Sequence, residues 1–161
     1  ADIIVARSAG FCFGVNRAVK IAFDVADRHH GGCTLGPIIH NKEMVAALDD
    51  KGVVSVGSLD EIQGREPVII RSHGVKRSVY DRLNEMGVAY IDATCPFVSK
   101  IHSIVYDMSR QGYAILIAGD ENHPEVQGIL SNCVSDYYIF KDVEDLKKIA
   151  DLIPEENSKL Q

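Results

Sequence analysis

Val68-Ile69-Ile70-Arg71-Ser72-His73-Gly74 decides the fold, and Ala114-Ile115-Leu116-Ile117-Ala118-Gly119 repeats its logic further along the chain. Each stretch opens with a run that is apolar at every position and too short for a helix. Neither run has the polar alternation of a strand with one wet face. Such runs mark strands buried on both sides, as in a parallel sheet with helices packed above and below it. Outward from these stretches, extended runs alternate with helical patterns. Upstream, Ile3–Ala6 precedes a helix over Val15–Asp27, Cys33–Leu35 precedes one over Lys42–Asp50, and Val53–Val56 stands before Val68–Ile70. Downstream, Lys76–Met86, Val98–Arg110, a segment starting near Pro124 and Val143–Ala150 read as helices. Between them lie the strands Val88–Ile91, Tyr113–Ala118 and Tyr137–Phe140. Asn41 suits the N-cap of its helix, and Gly52, Gly87 and Gly112 fall where helices should stop. The pattern predicts an α/β fold of parallel sheets flanked by helices.

With 161 residues, 46% of them hydrophobic, the chain can form one complete α/β lobe and part of a second. The expected boundary lies at Cys95, with a first lobe over 1–95 and an incomplete second over 96–161. Pro154–Gln161 is polar with no strand after it, where an α/β unit is expected to continue. A formal charge of −6 without a lysine or arginine cluster argues against nucleic acid, whose phosphates need a basic footprint. A phosphate ligand would have to be held by local groups. No apolar run approaches the roughly 18 residues that cross a bilayer, and Ala1–Ala6 is too short and too acidic for a signal peptide. The expected compartment is the cytoplasm, with no membrane association.

Cys12, Cys33, Cys95 and Cys133 contain no Cys-x-x-Cys pair, which disfavours a disulfide framework and a zinc ribbon. Position is more informative. Cys12, His40, His73, Cys95 and His123 each lie a few residues after the carboxyl end of an expected strand, the edge at which parallel sheets bind ligands. Cys12 sits in Gly10-Phe11-Cys12-Phe13-Gly14, where two glycines permit a tight path into a helix N-terminus, a place that favours the thiolate a metal requires. Cys95, in Asp92-Ala93-Thr94-Cys95-Pro96, stands at another such junction, with Pro96 suited to a first helical turn. His40, His73 and His123 are candidate donors to an anion, and Glu125, two residues beyond His123, is the natural proton donor beside them.

Taken singly, each residue has a blander reading. A lone cysteine in an α/β protein usually packs as a small apolar residue, and that is the reading for Cys33 and Cys133. His29, His30 and His102 are expected on helix surfaces or ends, and His73 before Gly74 is compatible with turn chemistry alone. The glycines at 10 and 14 do not have the spacing of a nucleotide-binding loop.

Five motifs in one order go further: Gly10-Phe11-Cys12-x-Gly14-Val15-x-Arg17-Ala18, Ile39-His40-Asn41, Ser72-His73-Gly74-Val75, Asp92-Ala93-Thr94-Cys95-Pro96 and His123-Pro124-Glu125-Val126. Together they resemble the 4-hydroxy-3-methylbut-2-enyl diphosphate reductase family, over the chain from its first strand to about residue 130. The resemblance implies a three-lobed α/β protein whose central iron–sulfur cluster, of the 4Fe–4S type, is held by three cysteines. Cys12 and Cys95 would be two of the ligands, His40, His73 and His123 would line a diphosphate pocket, and Glu125 would deliver protons. The third cysteine has no counterpart here, since neither Cys33 nor Cys133 matches it. A cluster held by three thiolates leaves one iron open as a Lewis acid. The family removes the hydroxyl of an allylic diphosphate to give isopentenyl and dimethylallyl diphosphates, with electrons from a ferredoxin or flavodoxin. The resemblance further implies that residues 1–13 pack with the third lobe, and that the 161-residue chain alone is inactive and holds no stable cluster. Two other classes remain as alternatives: a mononuclear zinc hydrolase or lyase using both cysteines and a histidine, and a non-catalytic module that binds a phosphorylated metabolite.

Overall fold

In the computed structural model, residues 2–152 are described; the expectation for Pro154–Gln161 lies outside them. The elements run α1 (Phe13–His29), β1 (Gly32–Leu35), α2 (Lys42–Asp49), β2 (Val53–Val56), a 3-10 turn at Leu59–Glu61, β3 (Val68–Ile70), α3 (Arg77–Glu85), β4 (Tyr90–Asp92), α4 (Pro96–Arg110), β5 (Ile115–Ala118), α5 (Pro124–Leu130), β6 (Tyr137–Phe140) and α6 (Val143–Ala150). The fold is α/β, and every strand pair is parallel. By their internal contacts the residues form two compact units. One holds the chain up to Ser72 together with Tyr90–Cys95; the other holds His73–Ala89 and the chain from Pro96.

The first unit is built on a four-stranded sheet of order β2-β1-β3-β4. Its centre is β3, where Val68, Ile69 and Ile70 are wholly buried, as the unbroken apolar run requires. The strand order reverses direction between β1 and β3, which makes the carboxyl edge of those strands the natural crevice of the sheet. Helix α1 buries Gly14, Ala18, Ala22, Val25 and Ala26, a stripe of mostly small residues at helical spacing that packs closely with Ile69, Ile38 and Leu48. Asn41 caps α2 as expected, its side-chain oxygen accepting from the Met44 N–H at 2.8 Å.

In the second unit β5 and β6 pair as a two-stranded sheet with register Ile115 to Tyr137. Here the reading of Ala114–Ile117 as buried on both faces is corrected: only Ile117 is buried, and its neighbours are half-buried. A two-stranded sheet lacks the layers that enclose β3.

Two further boundaries moved for one shared reason. The expected strands Val88–Ile91 and Tyr113–Ala118 begin later because their first residues complete helix ends. Val88 donates to Leu83 O at 3.0 Å and Tyr113 to Met108 O at 3.2 Å, closing over Gly87 (φ +66°) and Gly112 (φ +86°). Ile3–Ala6, expected as the first strand, is not a strand. Ile3, Ile4 and Val5 are 92%, 91% and 74% exposed, and an extended segment without a neighbouring strand has nothing to close its backbone hydrogen bonds.

The burial of β3 makes a direct prediction. Ile69→Ala removes buried volume at the middle of the sheet and should cost about 2–5 kcal/mol, read from the shift of a urea unfolding midpoint at unchanged slope. A loss near zero would contradict the placement of Ile69 in the core.

Candidate functional site

Cys12 is the N-cap residue of α1, and its carbonyl accepts the first helical hydrogen bond from Asn16. Its sulfur makes no capping bond and the residue is exposed. Because Ile3–Ala6 is not a strand, Cys12 does not follow one, contrary to expectation. It reaches the ligand edge of the sheet by another path. Helix α1 ends beside the start of β1, its C-cap His30 adopting a left-handed conformation (φ 55°), and runs back so that its first turn meets the loop after β4.

That meeting is close. A Cβ built on Gly14 would lie 2.5 Å from the Cys95 sulfur and 2.9 Å from its Cβ, so only glycine lets the helix approach Cys95. The Arg17 guanidinium, one turn further along α1, donates to the carbonyls of Thr94 (3.1 Å) and Asp92 (3.4 Å). The Asp92 carboxylate shapes the same loop by accepting from the Thr94 N–H at 2.8 Å and from its hydroxyl. Cys95, half-buried, is thereby held beside the helix turn that carries Cys12.

A backbone relay joins the other loops of this edge. Ser72, buried just past β3, donates its N–H (3.3 Å) and its hydroxyl (3.2 Å) to Ile38 O, and its own carbonyl accepts the Cys95 N–H at 2.9 Å. Ile38 and Ile39 are buried anchors of the β1–α2 loop, which brings His40 to the surface. His40 also borders an open cleft of about 610 Å³ along α2 and β2, lined in addition by Asn41, Val45 and Ser55; neither cysteine lines it. The sequence motifs contained Arg17 and Ser72 without a role for either. Their partners are main-chain carbonyls, which leave no mark in a sequence.

In the second unit His73 and His123 come together, their rings edge-on (89°) with centroids 6.2 Å apart. His123 is the N-cap of α5, and its Nδ1 accepts the Glu125 N–H at 3.2 Å. With Nδ1 as acceptor, the neutral ring carries its proton on Nε2. Glu125 stands half-buried in the first turn of α5, directly after this cap. Thus Cys12, Cys95 and His40 belong to one unit, and His73, His123 and Glu125 to the other.

The remaining candidates keep the bland reading, with one correction. Cys33 is fully buried in β1, and burial, reinforced by the Glu66 charge and opposed by Arg65, raises its thiol from 9.0 to about 11. Burial likewise raises Cys133, which is half-buried after α5. His29 and His30 form the exposed end of α1. His102, expected on a helix surface, is half-buried: its imidazole packs over Gly128, 3.2 Å from where a Cβ would stand there. The sequence of α4 cannot show that α5 presents a residue without a side chain.

A family model described as LytB protein matches residues 3–160. The chain belongs to the LytB family. Among curated proteins, this LytB chain is 42% identical over 149 residues to the 4-hydroxy-3-methylbut-2-enyl diphosphate reductase of Clostridioides difficile (strain 630), covering 92% of the chain and 53% of that protein. It is 45% identical over 147 residues to the protein of the same name from a Nitratiruptor species, covering 91% and 52%. The LytB chain therefore spans about half the length of the curated relatives it matches. Among solved structures, one of (E)-4-hydroxy-3-methyl-but-2-enyl diphosphate reductase, the terminal enzyme of the non-mevalonate pathway, superimposes with a TM-score of 0.77 at 41% identity, over 91% of this chain and 53% of that one. The reductase structure from Plasmodium falciparum gives a TM-score of 0.83 at 26% identity, over 88% and 45%.

The family implies an iron–sulfur cofactor, and the LytB chain can be tested for fit. Among the described residues no group of three or more His, Cys, Asp or Glu is set to hold a metal. Cys95 does stand beside the helix turn that Cys12 caps, at a position where a side chain on Gly14 would collide with the Cys95 sulfur. Cysteine thiols are the donor type of a thiolate-held cluster, to which Cys12 and Cys95 would be the chain's contribution.

Cys33 yields a pH prediction. Its thiol is raised in the folded state, so the stability it contributes is complete below pH 9 and is lost as pH rises toward about 11, where the unfolded chain has already released the proton. Cys33→Ala should lower stability at neutral pH yet remove one proton from the alkaline slope of unfolding free energy. An unchanged slope would contradict the assignment.

Proposed function

We propose that this chain supplies two of three cluster ligands, the diphosphate-binding histidines and the proton donor of a 4-hydroxy-3-methylbut-2-enyl diphosphate reductase. The observation that carries the reading is the docking of α1 against the loop after β4, which places Cys95 beside the turn of Cys12. Membership of the LytB family favours this function over a zinc hydrolase or a phosphometabolite-binding module. The bound group would be a 4Fe–4S cluster, supplying a Lewis-acidic iron and passing electrons from a ferredoxin or flavodoxin. Its third thiolate would come from the part of the fold that the relatives have and this chain does not cover.

The chain's own residues would do the rest. With Nδ1 of His123 committed to the Glu125 N–H, its Nε2–H is the edge suited to a phosphate oxygen, and His73 and His40 would add further imidazole contacts. A diphosphate could then be bound by local donors despite the net charge of −6. Reductive removal of the allylic hydroxyl consumes two electrons and two protons: the C–O bond breaks, a C–H bond forms and water leaves. Glu125, two residues beyond the phosphate-binding His123, would deliver protons to the departing oxygen and the carbon skeleton. The residues 1–95 and 96–161 would be successive lobes of a three-lobed protein in the cytoplasm. The exposed Ile3–Val5 segment would be covered by the third lobe.

The test uses a chimaera that continues this chain with the remaining half of the Clostridioides difficile relative, assayed anaerobically with a chemical reductant. Glu125→Gln should lower turnover by about 10²–10⁴ while iron content stays unchanged. His123→Asn, which keeps a capping side chain, should raise KM more than it lowers kcat. A folded, iron-loaded chimaera that leaves the diphosphate unreduced would defeat the functional reading, and full activity of Glu125→Gln would remove its proton-delivery role.

A further inference from the structure

We propose that Arg17 is a positioning residue that sets the spacing between the Cys12 and Cys95 thiols. Cys12 is fixed by the helix it caps, since its φ of −65° and ψ of 167° and its carbonyl bond to Asn16 belong to the start of α1. Cys95 lies on a separate element, the loop after β4, and two kinds of contact tie that loop to α1. One is the glycine gap at position 14, which permits approach without enforcing it. The other is the Arg17 fork, which donates from Nη1 to Thr94 O and from Nη2 to Asp92 O.

The fork pulls where the gap only allows. Its two acceptors are the main-chain carbonyls one and three residues before Cys95, so they fix the orientation of the loop as well as its distance. The Asp92 carboxylate accepts the Thr94 N–H and hydroxyl, so the loop that offers its carbonyls to α1 is also tied within itself. Arg17 lies one helical turn beyond Gly14 and is half-buried, so its side chain runs along the contact rather than into solvent. A lysine would keep the charge but offers no planar fork for two carbonyls.

The meaning of this spacing for a metal rests on the cluster reading above, whereas the clamp itself does not. The two therefore fail separately. The clamp is tested on the metal-free 161-residue chain under reducing conditions, with dibromobimane, a reagent that fluoresces only after linking two nearby thiols. The Cys12–Cys95 product is identified by peptide mapping. Arg17→Gln, which removes both bonds of the fork, should slow this cross-link by at least about tenfold, the change expected from losing even one charge-assisted hydrogen bond, while single-thiol labelling of Cys12 stays at the wild-type rate. Arg17→Lys should fall between the two. Lys20→Gln, the same charge change on the exposed face of α1, should have no effect. If Arg17→Gln fails to fold, as judged by its melting transition, Arg17→Lys carries the test. A folded Arg17 variant that cross-links at the wild-type rate overturns the proposal, whatever metal the chain binds.

Discussion

The first turn of α1 can rest on the loop after β4 only because residue 14 has no side chain. Any Cβ at that position would stand 2.5 Å from the Cys95 sulfur, well inside van der Waals contact. Withdrawing the helix to make room would break the Arg17 contacts to the Asp92 and Thr94 carbonyls and separate the two thiols. The stripe of small residues that follows along α1, Ala18, Ala22 and Ala26, is buried in the core of the same unit. A single steric allowance at Gly14 thus connects the packing of the first unit to its chemistry.

Loops at the carboxyl edge of the sheet are usually the adaptable part of such a fold, yet here they are stitched. Ser72 links the loop after β1 to the loop after β4, giving two hydrogen bonds to Ile38 O and accepting one from Cys95. Rigid anchoring suits a site whose ligands must be arranged before a cofactor arrives. In the second unit a similar anchoring appears at α5, where the imidazole of His123 caps the helix by accepting the Glu125 N–H.

Much of this was legible in the residues. Val53–Val56, Val68–Ile70 and Tyr137–Phe140 form strands with the expected ends, because each is a short run rich in β-branched or aromatic residues with turn chemistry beside it. Errors arose where tertiary context overrode a local pattern. Val88 and Tyr113 have strand-like side chains but spend their N–H groups closing the helices before them. Ile3–Ala6 has strand composition and, among the described residues, no strand paired with it. Cys12 was expected at the sheet edge for the wrong reason, since a returning helix brings it there. The half-burial of His102 depended on Gly128, in another helix. Arg17 and Ser72 were unreadable as organisers of the site because main-chain carbonyls carry no side-chain signature.

Under the proposed function, Cys12 and Cys95 would form an incomplete set of cluster ligands already held in place. The most direct measurement is iron and sulfide content, with Mössbauer spectra, after anaerobic reconstitution of this chain alone and of the chain continued by a relative's remaining half. A stoichiometric four-iron cluster is expected only in the continued protein, lost on replacing either cysteine by serine. A cluster of the same type in the chain alone, or one that survives both replacements, would contradict it.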